Sequence, residues 1–182
     1  ITSSTKTCYP TAKFLRSHIK CEDINWEMLS EQDNPKAWSD EQLIIAVASD
    51  DSICNRIDWY AISSLKDFPL TNEVLEVIPV KEINWKALSS RKSIVPFIDV
   101  YAKYIDWTIL SNNRNVDLLD IEFLTKYKEY FDWSIICKKE NFKYNNTILG
   151  LFAEYIDWDL ASDSKDIKFS RELVDRYKDK WN

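Results

Sequence analysis

One histidine, four cysteines and a set of Asp and Asn residues that recur before tryptophans are the side chains of this sequence that could do chemistry. His18 could serve as a general base, but that role needs a nucleophile or a second ligand beside it, and the surrounding sequence offers neither motif. Cys8, Cys21, Cys54 and Cys137 are widely and irregularly spaced, with no CxxC pair. That spacing suits idle or buried thiols better than a metal site or a disulfide framework. Asp106, Asp132 and Asp157 could be imagined as a carboxylate array, yet they stand one repeat apart and have a structural use as helix caps. Glu31, Glu41, Asp50, Asp51 and the segment 163–166 could meet a basic partner, although loop acids are ordinarily just solvated. Gly150 is the single glycine of the chain. A Walker loop, a dinucleotide-binding GxGxxG turn and a GxSxG elbow each need at least two, so none can be written here. No catalytic residue, cofactor site or metal ligand is therefore expected, and the chain is read as non-enzymatic.

What must position any functional surface is a folded domain. The chain has 182 residues, 45% apolar, 30% charged and 14% aromatic, enough to bury a core. Lys and Arg number 24 against 30 Asp and Glu, a net charge of -6. A chain with no cationic excess is poorly suited to a phosphate backbone, so nucleic acid is disfavoured as a partner. The most apolar run, Leu43 to Ala48, is far too short for a membrane span. Cysteine usage points to a reducing, intracellular compartment, the cytoplasm being the expectation, and the sequon at Asn145-Asn146-Thr147 does not argue for secretion. The sequence starts at Ile1 with no signal-peptide pattern, which reads as a fragment of a longer chain.

The tryptophans expose an internal repeat. Six segments align without gaps: INWEMLS from Ile24, IDWYAIS from Ile57, INWKALS from Ile83, IDWTILS from Ile105, FDWSIIC from Phe131 and IDWDLAS from Ile156. Trp26, Trp59, Trp85, Trp107, Trp133 and Trp158 are separated by 33, 26, 22, 26 and 25 residues, so the unit is near 25 with one long insertion between the first two copies. Asn25, Asp58, Asn84, Asp106, Asp132 and Asp157 are suited to cap a helix N-terminus, where a short side-chain oxygen accepts from free first-turn amides. The tryptophan then opens a short helix with apolar second and third followers. The fourth follower is Ser in five copies and Cys137 in one, a small residue that tolerates close packing or bonds back to the helix backbone.

A second helix precedes each later motif. Phe97, Ile98 and Tyr101, then Phe123, Leu124 and Tyr127, then Ile148, Leu149 and Phe152 share an i, i+1, i+4 spacing that makes a helical stripe. Tyr104, Tyr130 and Tyr155 close it. Isolated helices this short are marginal in water, so each copy must borrow burial from its neighbours. Pro79 stands where later copies have an aromatic, and the insertion holds Pro35, Trp38 and a capping box read from Ser39-Asp40-Glu41-Gln42 ahead of the Leu43 run. Leu173, Val174 and Tyr177 repeat the stripe once more. They put Trp181 in the slot of Ile105 and Asn182 in the capping slot, one residue ahead of the next repeat tryptophan. More copies are therefore expected in the parent chain. The expected fold is all-α, a solenoid-like array of short helix-turn-helix repeats. Residues 1–56 form an irregular, capping region with the insertion, and 57–182 form regular repeats truncated at the C-terminus, in one continuous array.

Runs such as YAKYIDWTILSNN and LVDRYKDKWN resemble the tandem Asp-Trp-x-x-Leu-Ser repeats of giant DNA virus proteins and some bacterial proteins, over about Ile24 to Asn182. The resemblance implies a helical repeat array and no particular activity. The residue after each tryptophan is Glu27, Tyr60, Lys86, Thr108, Ser134 and Asp159, which share no chemistry although their neighbours hardly vary. Variable positions on a constant frame are where repeat arrays carry specificity. These six are the candidate partner-binding residues, and the expected function is a protein–protein interaction module, a scaffold or adaptor with another protein as partner. A nucleic-acid-binding solenoid and a regulatory repeat segment of a larger enzyme are the alternatives. If the tryptophans are core, Trp107→Ala costs about 3–5 kcal/mol in a chemical melt, whereas Thr108→Ala stays within about 0.5 kcal/mol. A neutral Trp107→Ala would remove the tryptophan ladder from the core.

Overall fold

The computed structural model describes residues 10–31 and 34–181. The described residues are helices and turns with no strand, an all-α chain. They divide into two compact units, Ile1–Leu88 and Ser89–Asn182. The contrast between irregular and regular copies at 56/57 and this packing boundary at 88/89 divide the chain by different properties, sequence regularity and contact density.

In the first unit, α1 (Ala12–Ser17) precedes the first motif helix, α2 (Trp26–Glu31). The insertion then forms three helices: α3 (Pro35–Trp38), α4 (Glu41–Ala48) and α5 (Asp51–Cys54). Pro35 opens α3 at a position where a missing amide and a fixed φ cost nothing. Trp38 is fully buried and donates its indole N–H to the Leu29 carbonyl at 3.1 Å, which ties the insertion to the end of α2. The capping box lies one residue further on than its sequence suggests. Asp40 accepts from the Leu43 amide at 2.8 Å and is the N-cap of α4, while Ser39 ends α3 and donates to the Lys36 carbonyl. Ser39 is taken up by the end of α3, and the charged Asp40 carboxylate is favoured at the positive end of α4. With Leu43, Ile44 and Val47 fully buried, α4 is the centre of the unit and packs on α1, α3, α5 and α7 (Asn72–Val77). The second and third motif helices are α6 (Trp59–Ser64) and α8 (Trp85–Ser89), the latter ending at the unit boundary. Pro79, lacking an amide to donate, follows the end of α7 and sets off a 3-10 turn at Val80–Glu82 ahead of α8.

In the second unit, the stripe at Phe97, Ile98 and Tyr101 does not form one helix. Pro96 removes a backbone donor, and the segment splits into a 3-10 stretch, Lys92–Phe97, and a one-turn α9, Ile98–Tyr101. Beyond it the pattern is regular: α10 (Trp107–Asn112), α11 (Ile121–Tyr127), α12 (Trp133–Ile136), α13 (Asn146–Phe152), α14 (Trp158–Ser162) and α15 (Arg171–Arg176). Leu124, Leu149 and Phe152 are fully buried, as their stripe requires, whereas Val174 is exposed. Trp26, Trp59, Trp85 and Trp133 are buried, but Trp107 and Trp158 are only half-buried, so the loss on Trp107→Ala belongs at the low end of its range. Asn182 and Cys8 lie outside the described residues.

Each motif tryptophan in the second unit, Trp107, Trp133 and Trp158, packs against the aromatic residues of the following copy. Trp107 meets Tyr127 and Tyr130 with ring centroids 5.3 and 4.8 Å apart, Trp133 meets Phe152 and Tyr155 at 5.0 and 5.4 Å, and Trp158 meets Tyr177 at 5.0 Å. Polar pairs flank these rings. Tyr127 donates to Asp99, which also pairs with Lys126 at 2.6 Å; Tyr155 donates to Glu129; Lys180 pairs with Glu154 at 2.9 Å. The Lys126 ammonium, and after it the Tyr127 hydroxyl, hold the Asp99 carboxyl below its ordinary range. A depressed carboxyl contributes stability above its unfolded pKa and loses it as pH falls through the folded value. In a carboxyl-resolved NMR titration Asp99 therefore has a midpoint below an ordinary aspartate. Lys126→Met raises it, and Tyr127→Phe raises it less. An ordinary midpoint in the wild type would remove this pair from the interface.

Candidate functional site

The frame that presents the six variable residues is built from three hydrogen bonds repeated along the chain. The first is the cap. Asn25, Asp58, Asn84, Asp106, Asp132 and Asp157 accept through Oδ1 from first-turn amides at 2.9–3.1 Å. These carboxylates and amides are therefore committed to helix starts. The second ties five of the six motif helices to the chain before them. The indole N–H of Trp59, Trp85, Trp107, Trp133 and Trp158 donates to the carbonyl five residues earlier, at 2.7–3.1 Å. This explains why tryptophan, and not another large apolar residue, stands there, since an indole fills the space and also satisfies a backbone carbonyl, which at Cys54, Ala102, Lys128 and Ala153 is an orphan at a helix end.

The third bond joins one copy to the next. The backbone N–H of a capping residue has no helical partner of its own. In the structure it donates to the serine of the preceding copy: Asp58 to Ser30 at 2.9 Å, Asn84 to Ser63 at 2.8 Å, Asp106 to Ser89 at 2.9 Å and Asp132 to Ser111 at 3.0 Å. Asp157 donates to the Cys137 sulfur at 3.4 Å. These hydroxyls and the thiol are buried. Ser30 and Ser63 pass the bond on to the Glu27 and Trp59 carbonyls. The expectation that the serine bonds back into its helix is thus half of its role, and sequence reasoning missed the other half. A trace was present, because alanine would pack equally well and occurs in none of the six copies.

On this frame Glu27, Tyr60 and Lys86 in the first unit, and Thr108, Ser134 and Asp159 in the second, are all exposed at the second residue of their helices. Tyr60 is the largest, with 57% of its surface in solvent. The Ser134 hydroxyl donates to its cap, Asp132, at 2.6 Å. Ser134 also lines a groove of about 1120 Å³ in the second unit, bounded by residues 112–120 and 134–141. The other five variable positions do not reach it. Asn113 anchors the groove wall from a buried site, donating to the Ser89 carbonyl at 3.1 Å and accepting from the Asn115 amide at 2.8 Å. In sequence, Ser111 to Asn115 is simply a polar run ahead of α11, and only folding brings its residues 112–115 into one groove with Ser134.

His18 is exposed at the end of α1, stacked on Phe14 with ring centroids 4.3 Å apart, its Nδ1 2.9 Å from the Ser17 hydroxyl. Ser17 Oγ donates to the Phe14 carbonyl at 2.8 Å, so this neighbouring pair closes a helix end. Glu41 accepts from the Thr71 hydroxyl, and Asp50 caps α5. Cys21, Cys54 and Cys137 are free, and burial pushes the Cys54 and Cys137 thiols up. Among the described residues no three His, Cys, Asp or Glu gather as metal ligands would, and no helix is long and apolar enough to cross a membrane. Comparison of the chain with protein-family models, curated proteins and solved structures finds no match.

The copy-to-copy bond can be tested directly. Ser111→Ala leaves the Asp132 amide without an acceptor and should cost about 1–3 kcal/mol in denaturant unfolding, with faster hydrogen exchange at Asp132. Cys137→Ser should slow exchange at Asp157, because oxygen is the stronger acceptor. Unchanged exchange at Asp132 in the Ser111→Ala protein would take the serine out of the account.

Proposed function

We propose that this chain is a non-enzymatic helical repeat module that binds another protein, each unit being a solenoid-like stack whose repeats hold a recognition surface in place. The observation that supports it is the contrast at one register. Cap, tryptophan and serine are fixed by the three bonds above, while the residue between them changes from acid to aromatic to base to hydroxyl and is exposed in all six copies. A position that varies and stays exposed while its neighbours are held by the fold is suited to reading a partner's surface. Tyr60 is the strongest single anchor, because a rigid exposed aromatic buries area at small entropic cost. The net charge of -6 favours a protein over a phosphate polymer, and the free cysteines suit a reducing, intracellular compartment. The tandem Asp-Trp-x-x-Leu-Ser resemblance agrees with a repeat array and adds no activity.

The test uses the wild type and a variant carrying Tyr60→Ala, Lys86→Ala, Thr108→Ala and Ser134→Ala, each expected to change stability by no more than about 0.5 kcal/mol. Both are used as bait in lysate of the source organism, with and without nuclease. The wild type should capture a protein that survives nuclease and is lost from the variant. Capture that depends on intact nucleic acid, or that is equal for both baits, overturns the reading.

A further inference from the structure

The geometry points to the groove between residues 112–120 and 134–141 as a binding site for an extended segment of a partner protein that carries a carboxylate beside an apolar side chain; this rests on the protein-binding reading above. Arg114, Lys138 and Lys139 line the groove, and none of the three is within ion-pair distance of a carboxylate among the described residues. Three acids, Asp117, Asp120 and Glu140, also line the groove and keep their charge, so its cationic part is the end where Arg114 and Lys139 neighbour each other and no carboxylate among the described residues pairs with either. Asp117 accepts from the Leu119 amide at 3.2 Å, and Asp120 caps α11 by accepting from Phe123 at 2.9 Å. Glu140 is exposed.

The Lys139 ammonium is held in place, donating to the Asn113 carbonyl at 3.3 Å. Partial burial, and after it the neighbouring Arg114 charge, push its pKa below that of an ordinary lysine. A bound anion would relieve both costs, since it screens the Arg114–Lys139 repulsion and replaces lost solvation with a direct partner. Beside the groove lies a smaller pocket of about 190 Å³ that shares Leu119 and Asn141 and is otherwise lined mainly by apolar residues, among them Leu124, Phe142 and Ile148. An acidic residue over the cations and an apolar residue in this pocket would be near neighbours along an extended strand. The exposed amides of Asn112 and Asn141 can each donate to and accept from such a strand's backbone.

The probe is a short fluorescein-labelled peptide of alternating Glu and Leu, measured by anisotropy against the full chain. Its comparators are a Lys/Leu peptide, a Glu/Ser peptide and a single-stranded oligonucleotide. The Glu/Leu peptide should bind most tightly, and Arg114→Glu with Lys138→Glu should weaken it by about tenfold or more. Both residues are exposed, so the fold is retained. The control, Lys165→Glu with Lys178→Glu, makes the same change in net charge at exposed sites away from the groove and should bind like the wild type. The proposal is overturned if the Glu/Leu peptide does not bind, if both double variants lose affinity equally, or if the Lys/Leu peptide, the Glu/Ser peptide or the oligonucleotide binds as well. A captured partner that holds the groove variant as tightly as the wild type, yet is lost from the Tyr60 variant, overturns this site alone and leaves the protein-binding reading standing.

Discussion

The structure depends on one orphan donor. A capping residue uses its side chain to satisfy the amides ahead of it, but its own backbone N–H points away from its helix and has no partner there. Buried without an acceptor, that group would destabilise every copy. The serine at the end of the preceding motif helix supplies the acceptor, so the start of one copy is completed by the end of another. This is why helices of four to six residues can persist. Their termini, which dominate so short an element, are satisfied by neighbours instead of by water.

The same logic explains the aromatic content. An indole that fills the gap between copies also closes the carbonyl end of the helix before it, and the next copy's tyrosine or phenylalanine covers the ring. Packing and polar satisfaction thus come from the same residues. Where proline intrudes, Pro96 splits the longer helix into 3-10 and α pieces and Pro79 sets off a 3-10 turn after α7, while the bond from the following tryptophan is kept.

Much of this was legible in the sequence because each copy repeats the same local rules. Cap, tryptophan and apolar followers are short-range signals, and six parallel instances separate them from chance. Three things were not legible. The capping box opening at Ser39 was one residue out of place because Ser39 and Asp40 are both capable caps, and only the end of α3 decides for Asp40. The half-burial of Trp107 and Trp158 depends on what covers them, which spacing does not encode. The groove needs residues about twenty positions apart to meet, and Asn112-Asn113-Arg114-Asn115 carries no mark that distinguishes a wall from a linker.

The rungs from serine or cysteine to cap join residues 28, 21, 17, 21 and 20 positions apart. Every one is a modest loop to close, and none requires the ends of the chain to find each other. Closure entropy grows only slowly with loop length, and low contact order accompanies rapid folding. Order within a unit can therefore begin at whichever neighbouring pair closes first and spread copy by copy. A chain built this way can gain or lose a copy in evolution without redrawing the topology of the copies that remain.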